Sequence, residues 1–307
     1  MVSTVTNKKL FISYIFAFTL IIAMVAVAVL FEDREIILPE IAAMAIGMWA
    51  YREPGWIRQP SKIFLAPSIT AVIGFGVNQL EIDYFVKIIL TLILMFVFLR
   101  LIQSNLAPSI ATGLLPVVTN ATHWSFILAV FIFTFVIMLG VYLFEMNKGM
   151  EKNAKIQYKY MVVYVVLISI WIGLCWLVGY EVAVIPPILV VVFESLQKPM
   201  YNGKMVFKQS IVLTISATVG TLLYFAIDSL ILVTVLYMIL MYILLRIAKV
   251  QIPAAYAFPL LMFLFPDEII AMMPLAALIT CTILFTSVLM YKKYERKQNN
   301  KMKVNTI

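Results

Sequence analysis

Long apolar runs alternate with short polar breaks along almost the whole chain. The apolar runs fall at about 10–30, 37–51, 63–80, 85–102, 106–119 and 124–145, then at 160–179, 182–196, 208–226, 230–247, 252–265 and 268–291. A helix that crosses a membrane needs roughly 20 mostly apolar residues, so the pattern predicts an all-α, polytopic integral membrane protein. The polar stretch Asn147 to Lys159 divides the runs into two sets of six. The expected fold is therefore about twelve transmembrane segments in two parallel six-segment repeats. Residues 1–147 form the first repeat, 148–159 a cytoplasmic linker, 160–291 the second repeat and 292–307 a basic cytoplasmic tail.

The second half also repeats the first by sequence. LTLILMFVFLRL at 90–101 returns as LYMILMYILLRI at 236–247, an offset of 146. The same offset pairs Lys62 with Lys208, Gly74 with Gly220, Arg100 with Arg246 and Leu114-Leu115 with Leu260-Leu261. Apolar composition alone does not align charges and glycines without a gap. An even number of spans per repeat makes the halves run in the same sense, and interfaces between transporter repeats are where substrate sites lie.

Composition agrees. The chain is 64% hydrophobic and 12% charged, against about 25% charged in soluble domains. The first run is read as a retained helix, because the acidic FEDRE follows it where a signal peptide would carry a small-residue cleavage site. The formal net charge of +8 is read as loop charge and not as a nucleic-acid surface. With the N-terminus inside, all basic residues but Arg34 and Lys87 fall on cytoplasmic segments, and acids such as Glu32, Asp33, Glu181, Asp228 and Asp267 collect outside. Lys and Arg are retained on the cytoplasmic side, so both termini are expected there, in the cell membrane. Cys175 and Cys281 lie inside apolar runs and read as small hydrophobes.

Two spans in each half are short and broken by proline. The second begins with Pro39 and Glu40, and its counterpart carries Pro186-Pro187 and later Glu194. The fifth holds Pro108, Gly113 and Pro116, and its counterpart Pro253 and Pro259. About 14 helical residues reach roughly 21 Å, less than a hydrocarbon core of about 30 Å. Their ends should leave backbone groups at membrane depth, which is tolerated only inside protein or beside a watery cavity.

The stretch from about Pro39 to Tyr142 resembles the HPP family of integral membrane proteins. The likeness is carried by Gln59-Pro60-Ser61-Lys62, Ala71-Val72-Ile73-Gly74, Ala107-Pro108-Ser109-Ile110-Ala111-Thr112-Gly113-Leu114-Leu115 and Trp124-Ser125-Phe126-Ile127-Leu128. The family's His-Pro-Pro run keeps only its second proline, as Pro108; Leu106 and Ala107 replace the rest. The second half carries a degenerate copy, Ile252-Pro253-Ala254-Ala255. Some plant and cyanobacterial relatives are nitrite transporters, so the resemblance implies transport of a small anion.

The candidate binding residues are Arg100, Asn105, Pro108, Ser109, Thr112, Arg246, Pro253 and Tyr256. The two arginines read either as a symmetric pair that attracts an anion or as interfacial residues that snorkel to headgroups. The starts of the fifth spans offer free N–H groups and a positive dipole end to an anion. Small residues there would equally allow close helix packing. Glu40 and Glu194 are the candidates for proton coupling, since an acid within a membrane is costly to keep; an interfacial position is the alternative. His123 lies in an outer turn beside Trp124, and Ser210, Thr214, Ser216, Thr218 and Thr221 form a polar stripe.

No P-loop, HExxH motif or metal-spaced His or Cys cluster is present. The expectation is a non-enzymatic transporter or channel for a small anionic solute, with no cofactor or metal. Its partners would be the lipid bilayer and that solute, with no nucleic acid. The alternative is a non-transporting membrane scaffold.

Overall fold

The computed structural model describes residues 7–151, 156–179 and 184–304. Lys152, Lys155, Glu181 and the first residues of the run expected at 182–196 lie outside them. Every described element is helical, and eight helices are long and apolar enough to cross a membrane. They are α1 (Asn7–Leu30), α4 (Pro60–Asn78), α5 (Tyr84–Leu101), α7 (Trp124–Leu143), α8 (Lys159–Leu177), α10 (Gly203–Ala226), α11 (Leu230–Ala248) and α13 (Asp267–Val304). The chain is a helical membrane protein.

The four broken runs come out as short elements. α2 (Pro39–Ala45) runs on into a π-helical turn (Ile46–Ala50), and α3 (Pro54–Ile57) is a single turn after it. α6 spans Pro108–Val118 and α9 spans Pro186–Gln197. The fourth, Pro253–Leu264, is two 3₁₀ turns around α12 (Phe258–Leu261). Proline at the first helical position sets the start of α2, α4, α6 and α9, because its missing N–H would be unpaired there anyway. Elsewhere polar side chains cap the starts. Asp83 accepts from the Phe85 amide at 2.9 Å and Asn202 from the Met205 amide at 3.1 Å. Lys249, in the left-handed region at φ 52°, ends α11.

The short elements form the core. Every residue of α2 and its π turn is buried, as are all of α12 and nearly all of α6 and α9. The long helices instead show large apolar side chains outward, such as Phe11, Leu101, Leu128, Val162 and Leu275. That surface suits lipid. It would be a liability in water, where exposed apolar patches are usually small.

Packing between the halves is reciprocal. α1 packs on α11 and α8 packs on α5; α2 packs on the 253–264 segment and α9 on α6. Within the halves, α4 packs on α6 and α7, and α10 on α12 and α13. A methyl group added to Gly74 would come 1.8 Å from the Gly113 carbonyl oxygen, and one added to Gly220 would come 2.8 Å from Pro259 Cα. Both contacts join positions 146 apart in the chain, Gly74 with Gly220 and Gly113 with Pro259.

One boundary differs from expectation. Residues expected as a basic, solvated tail from 292 continue α13 without a break to Val304, and Lys292 is only 2% exposed. Its Nζ donates to Tyr160 Oη at 2.9 Å, the Leu196 carbonyl at 3.0 Å and Glu295 at 3.0 Å. The charge pattern alone marks this segment as solvated, but a carboxylate one turn along the same helix makes burial of the ammonium affordable.

Candidate functional site

The four short elements enclose a small void at the centre of the bundle. Its volume is about 10 Å³, and it is lined by Pro39, Glu40 and Ala43, by Pro108, Ala111 and Leu115, by Pro186, Pro187 and Val190, and by Ala254, Ala257 and Leu261. Three lining pairs are 146 positions apart: Pro108 with Ala254, Ala111 with Ala257 and Leu115 with Leu261. A fourth pair breaks the match, because Glu40 faces the void where the equivalent residue is Pro186. Small residues and prolines let four backbones meet here.

Glu40 is the one ionisable side chain of this lining. It is 3% exposed, and its Oε1 has no hydrogen-bond partner. Buried polar atoms are nearly always paired, and an orphan calls for an explanation. The void is about the size of one water, the least that can hold one. Around it run the first turns of α6 and α9, whose positive dipole ends favour negative charge, although the Ser109, Ile110, Ile188 and Leu189 amides already donate to the Leu106, Ala107 and Ile185 carbonyls.

The other predicted residues separate into three groups. Ser109 and Thr112 are fully buried on α6. Thr112 Oγ1 donates to the Pro108 carbonyl at 3.1 Å, and Ser109 Oγ has no partner. Asn105, just before α6, donates to Gln197 Oε1 of α9 at 2.8 Å and so ties the two halves together. Pro253 and Tyr256 are buried at the start of the equivalent segment. Tyr256 belongs to an aromatic cluster with Phe18, at 6.1 Å between rings, while Tyr14 stands edge-on to Tyr51 at 6.3 Å and to Tyr242 at 5.0 Å.

The arginines do not turn toward the short helices. The Arg100 guanidinium lies 5.4 Å over the ring of Tyr158. Arg246 donates to Tyr242 Oη from Nε at 3.1 Å and from Nη2 at 3.0 Å. Both are exposed on the bundle surface. Glu194 also stands apart from Glu40. It sits in the last turn of α9, where its neighbours are Trp56, Glu53 and Lys198. Burial pushes the neighbouring Glu53 carboxyl up, and Lys198 opposes this.

The cations that do lie at the start of α6 are Arg58 and Lys62. With Gln59, Gln103, Ser104 and Asn105 they line a polar pocket of about 30 Å³. Lys62 Nζ donates to the Gln103 carbonyl just past α5, and Lys208 Nζ to the Ala248 carbonyl at the end of α11, at 2.7 Å. Arg58 Nε is buried without a partner. The pairing of Lys62 with Lys208 was a signal for these positions; Arg58, whose 146-shifted counterpart is Lys204, lacked a matched binding motif.

On the opposite end, Glu35 accepts from the Thr122 and His123 amides at 2.9 Å each, and His123 Nδ1 stands 3.5 Å from Asp33 Oδ1. Among the described residues no group of three metal-ligating side chains forms a metal site. Comparison with family models, with curated proteins and with solved structures finds no match for this chain.

Proposed function

We propose that the chain is a secondary transporter for a small anionic solute, with Glu40 carrying a proton that accompanies it. The observation that carries this reading is the unpartnered Glu40 Oε1 beside a void lined by the four short elements. An ionisable group inside a membrane is a functional hypothesis by default. Short, proline-started helices meeting at mid-depth are how many transporters build substrate sites. The ends of α6 and α9 favour an anion, while a charged Glu40 would repel one. A proton on Glu40 removes that conflict, which links anion and proton movement.

The proposal takes the twelve apolar runs as two parallel repeats of six, with both termini on the cytoplasmic side of the cell membrane. Reciprocal packing of α1 on α11 and α8 on α5, and the matched glycine contacts, support that arrangement. In it, the pocket holding Arg58 and Lys62 opens toward the cytoplasm below α6 and gathers the anion. Likeness to the HPP family belongs to the same proposal, since its Pro108–Leu115 piece supplies one wall of the void. A second reading, a non-transporting scaffold, is favoured by the water-sized volume of the centre.

The test is flux in liposomes holding the purified chain, with nitrite, nitrate, formate, chloride and small organic acids, with and without a pH gradient. A saturable flux of one anion that rises with the gradient is expected. Glu40→Gln should abolish the gradient dependence, and Arg58→Gln with Lys62→Gln should raise the half-saturating concentration. Well-folded protein that moves none of the panel would favour the scaffold.

A further inference from the structure

Between the N-terminal end of α1 and the C-terminal end of α7 lies a largely apolar cleft. It has a volume of about 380 Å³, within the range of small-molecule sites. Phe16, Leu139, Leu143 and Phe144 line it, and Lys9 and Arg52 stand among them. The floor is fixed. Trp49 Nε1 donates to the Ile137 carbonyl at 3.2 Å, and the indole lies where Gly140 lacks a Cβ, since an added methyl would come 2.7 Å from the ring.

Two cations here lack a counter-charge. No carboxylate pairs with Lys9 or Arg52 among the described residues, and Arg52 Nε is buried without a hydrogen-bond partner. The end of the chain's other half shows what an internal solution looks like. Shifted by 146, Met146 becomes Lys292 and Gly149 becomes Glu295. There Glu295 takes both Lys292 and Lys159 as partners. At the α1–α7 end the nearby acid Glu145, next to Phe144, pairs with Lys148, so among the described residues the cations of the apolar slot have no acid paired with them.

We infer that this cleft binds one anionic phospholipid of the adjoining leaflet, its phosphate between Lys9 and Arg52 and an acyl chain along Phe16, Leu139 and Leu143. Apolar walls ending in two basic groups match an anionic amphiphile, as basic pockets between helices do for lipid headgroups. A free anion would leave the apolar walls uncovered, and a zwitterionic lipid would leave the cations uncompensated. The inference requires only that the chain is membrane-embedded and is independent of transport.

The experiment is native mass spectrometry of the whole chain, taken from nanodiscs of equal parts phosphatidylglycerol and phosphatidylcholine. The wild type should retain one phosphatidylglycerol. Lys9→Gln with Arg52→Gln should lower that occupancy by roughly tenfold or more, given the attraction of each basic group near the surface. Leu139→Trp, which fills the slot and keeps the charge, should lower it as well. Lys293→Gln with Lys297→Gln removes the same charge from exposed positions of α13 and should leave it unchanged. Equal retention of the two lipids by the wild type, or an equal loss in both double variants, would overturn the site. Because the lipid preference is read on the unmodified chain, the proposal stays falsifiable if a variant fails to fold.

Discussion

The two halves of this chain end differently on the side of their basic loops. In the second half, Lys292 is buried beside Glu295 and Tyr160, so α13 is tied to α8 and α9 by charge. In the first half, the matching positions are Met146, Gly149 and Tyr14, and a cleft opens between α1 and α7. The helical frame is set by apolar runs and prolines common to both halves. What fills the seams is set by single residues that the frame tolerates in either form. One seam is satisfied internally and the other is left for something outside the chain.

The largest expected effect tests the internally satisfied seam. Glu295→Gln leaves the Lys292 ammonium buried without a counter-charge, and breaking such a pair costs about 3–5 kcal/mol. Thermal unfolding in detergent should show a large drop in Tm. Replacing both partners, Lys292→Met with Glu295→Gln, should recover most of it, because the cost lies in the orphaned charge. At the other seam Lys9→Gln should change stability by less than about 0.5 kcal/mol, as expected of a surface substitution away from structural features. Equal effects at both seams would break the comparison.

The next effect compares the halves at their shared crossing. Gly74→Ala drives a methyl onto the Gly113 carbonyl oxygen, at 1.8 Å before relaxation, whereas Gly220→Ala meets Pro259 Cα at 2.8 Å. Overpacking costs about 1–3 kcal/mol or more. Gly74→Ala should therefore lower Tm more than Gly220→Ala does, while Gly76→Ala, with open space around it, should not lower it. A reversed order would mean that the first crossing relaxes more easily than the second.

Much of this frame was legible in the sequence. The apolar runs marked a helical membrane protein, eight of whose helices are long and apolar enough to cross a membrane, and the prolines marked the four short elements. What the sequence hid was direction about the helix axis. A long helix that is apolar all round has no polar stripe to mark its inner face. Arg100 and Arg246 read correctly as helix ends, yet their side chains turn to Tyr158 and Tyr242 and away from the short helices. Glu40 and Glu194 both read as candidates for proton coupling, with Glu194 near Lys198, and the bundle puts Glu40 in the central void and Glu194 in the last turn of α9 beside Lys198. The burial of Lys292 was hidden for another reason. It depends on Tyr160, far away in the chain, and such long-range pairing leaves no periodic trace.

The smallest effect concerns the opposite ends of the same helices, where the halves differ again. The first half carries a clasp of Asp33, Glu35, Thr122 and His123, and the position 146 beyond His123 is the apolar Ile269. Burial works against ionisation of Asp33, but the Ser125 hydroxyl, the Glu35 amide and His123 together outweigh it and hold the carboxyl below its usual range. A carboxyl lowered in the folded state adds stability that is fully present above its unfolded value, about 3.9. That stability is lost as pH falls through the lower folded value. The clasp should thus be intact from neutral pH down to about 4 and loosen below it. Amide hydrogen exchange at Glu35, whose N–H donates to Asp33 Oδ1 at 3.0 Å, corrected for intrinsic rate, should rise on such acidification, while the start of α13 around Ile269 should not follow. Asp33→Asn should flatten the acid response. If both ends open together, the loss is global and the clasp is not a separate unit.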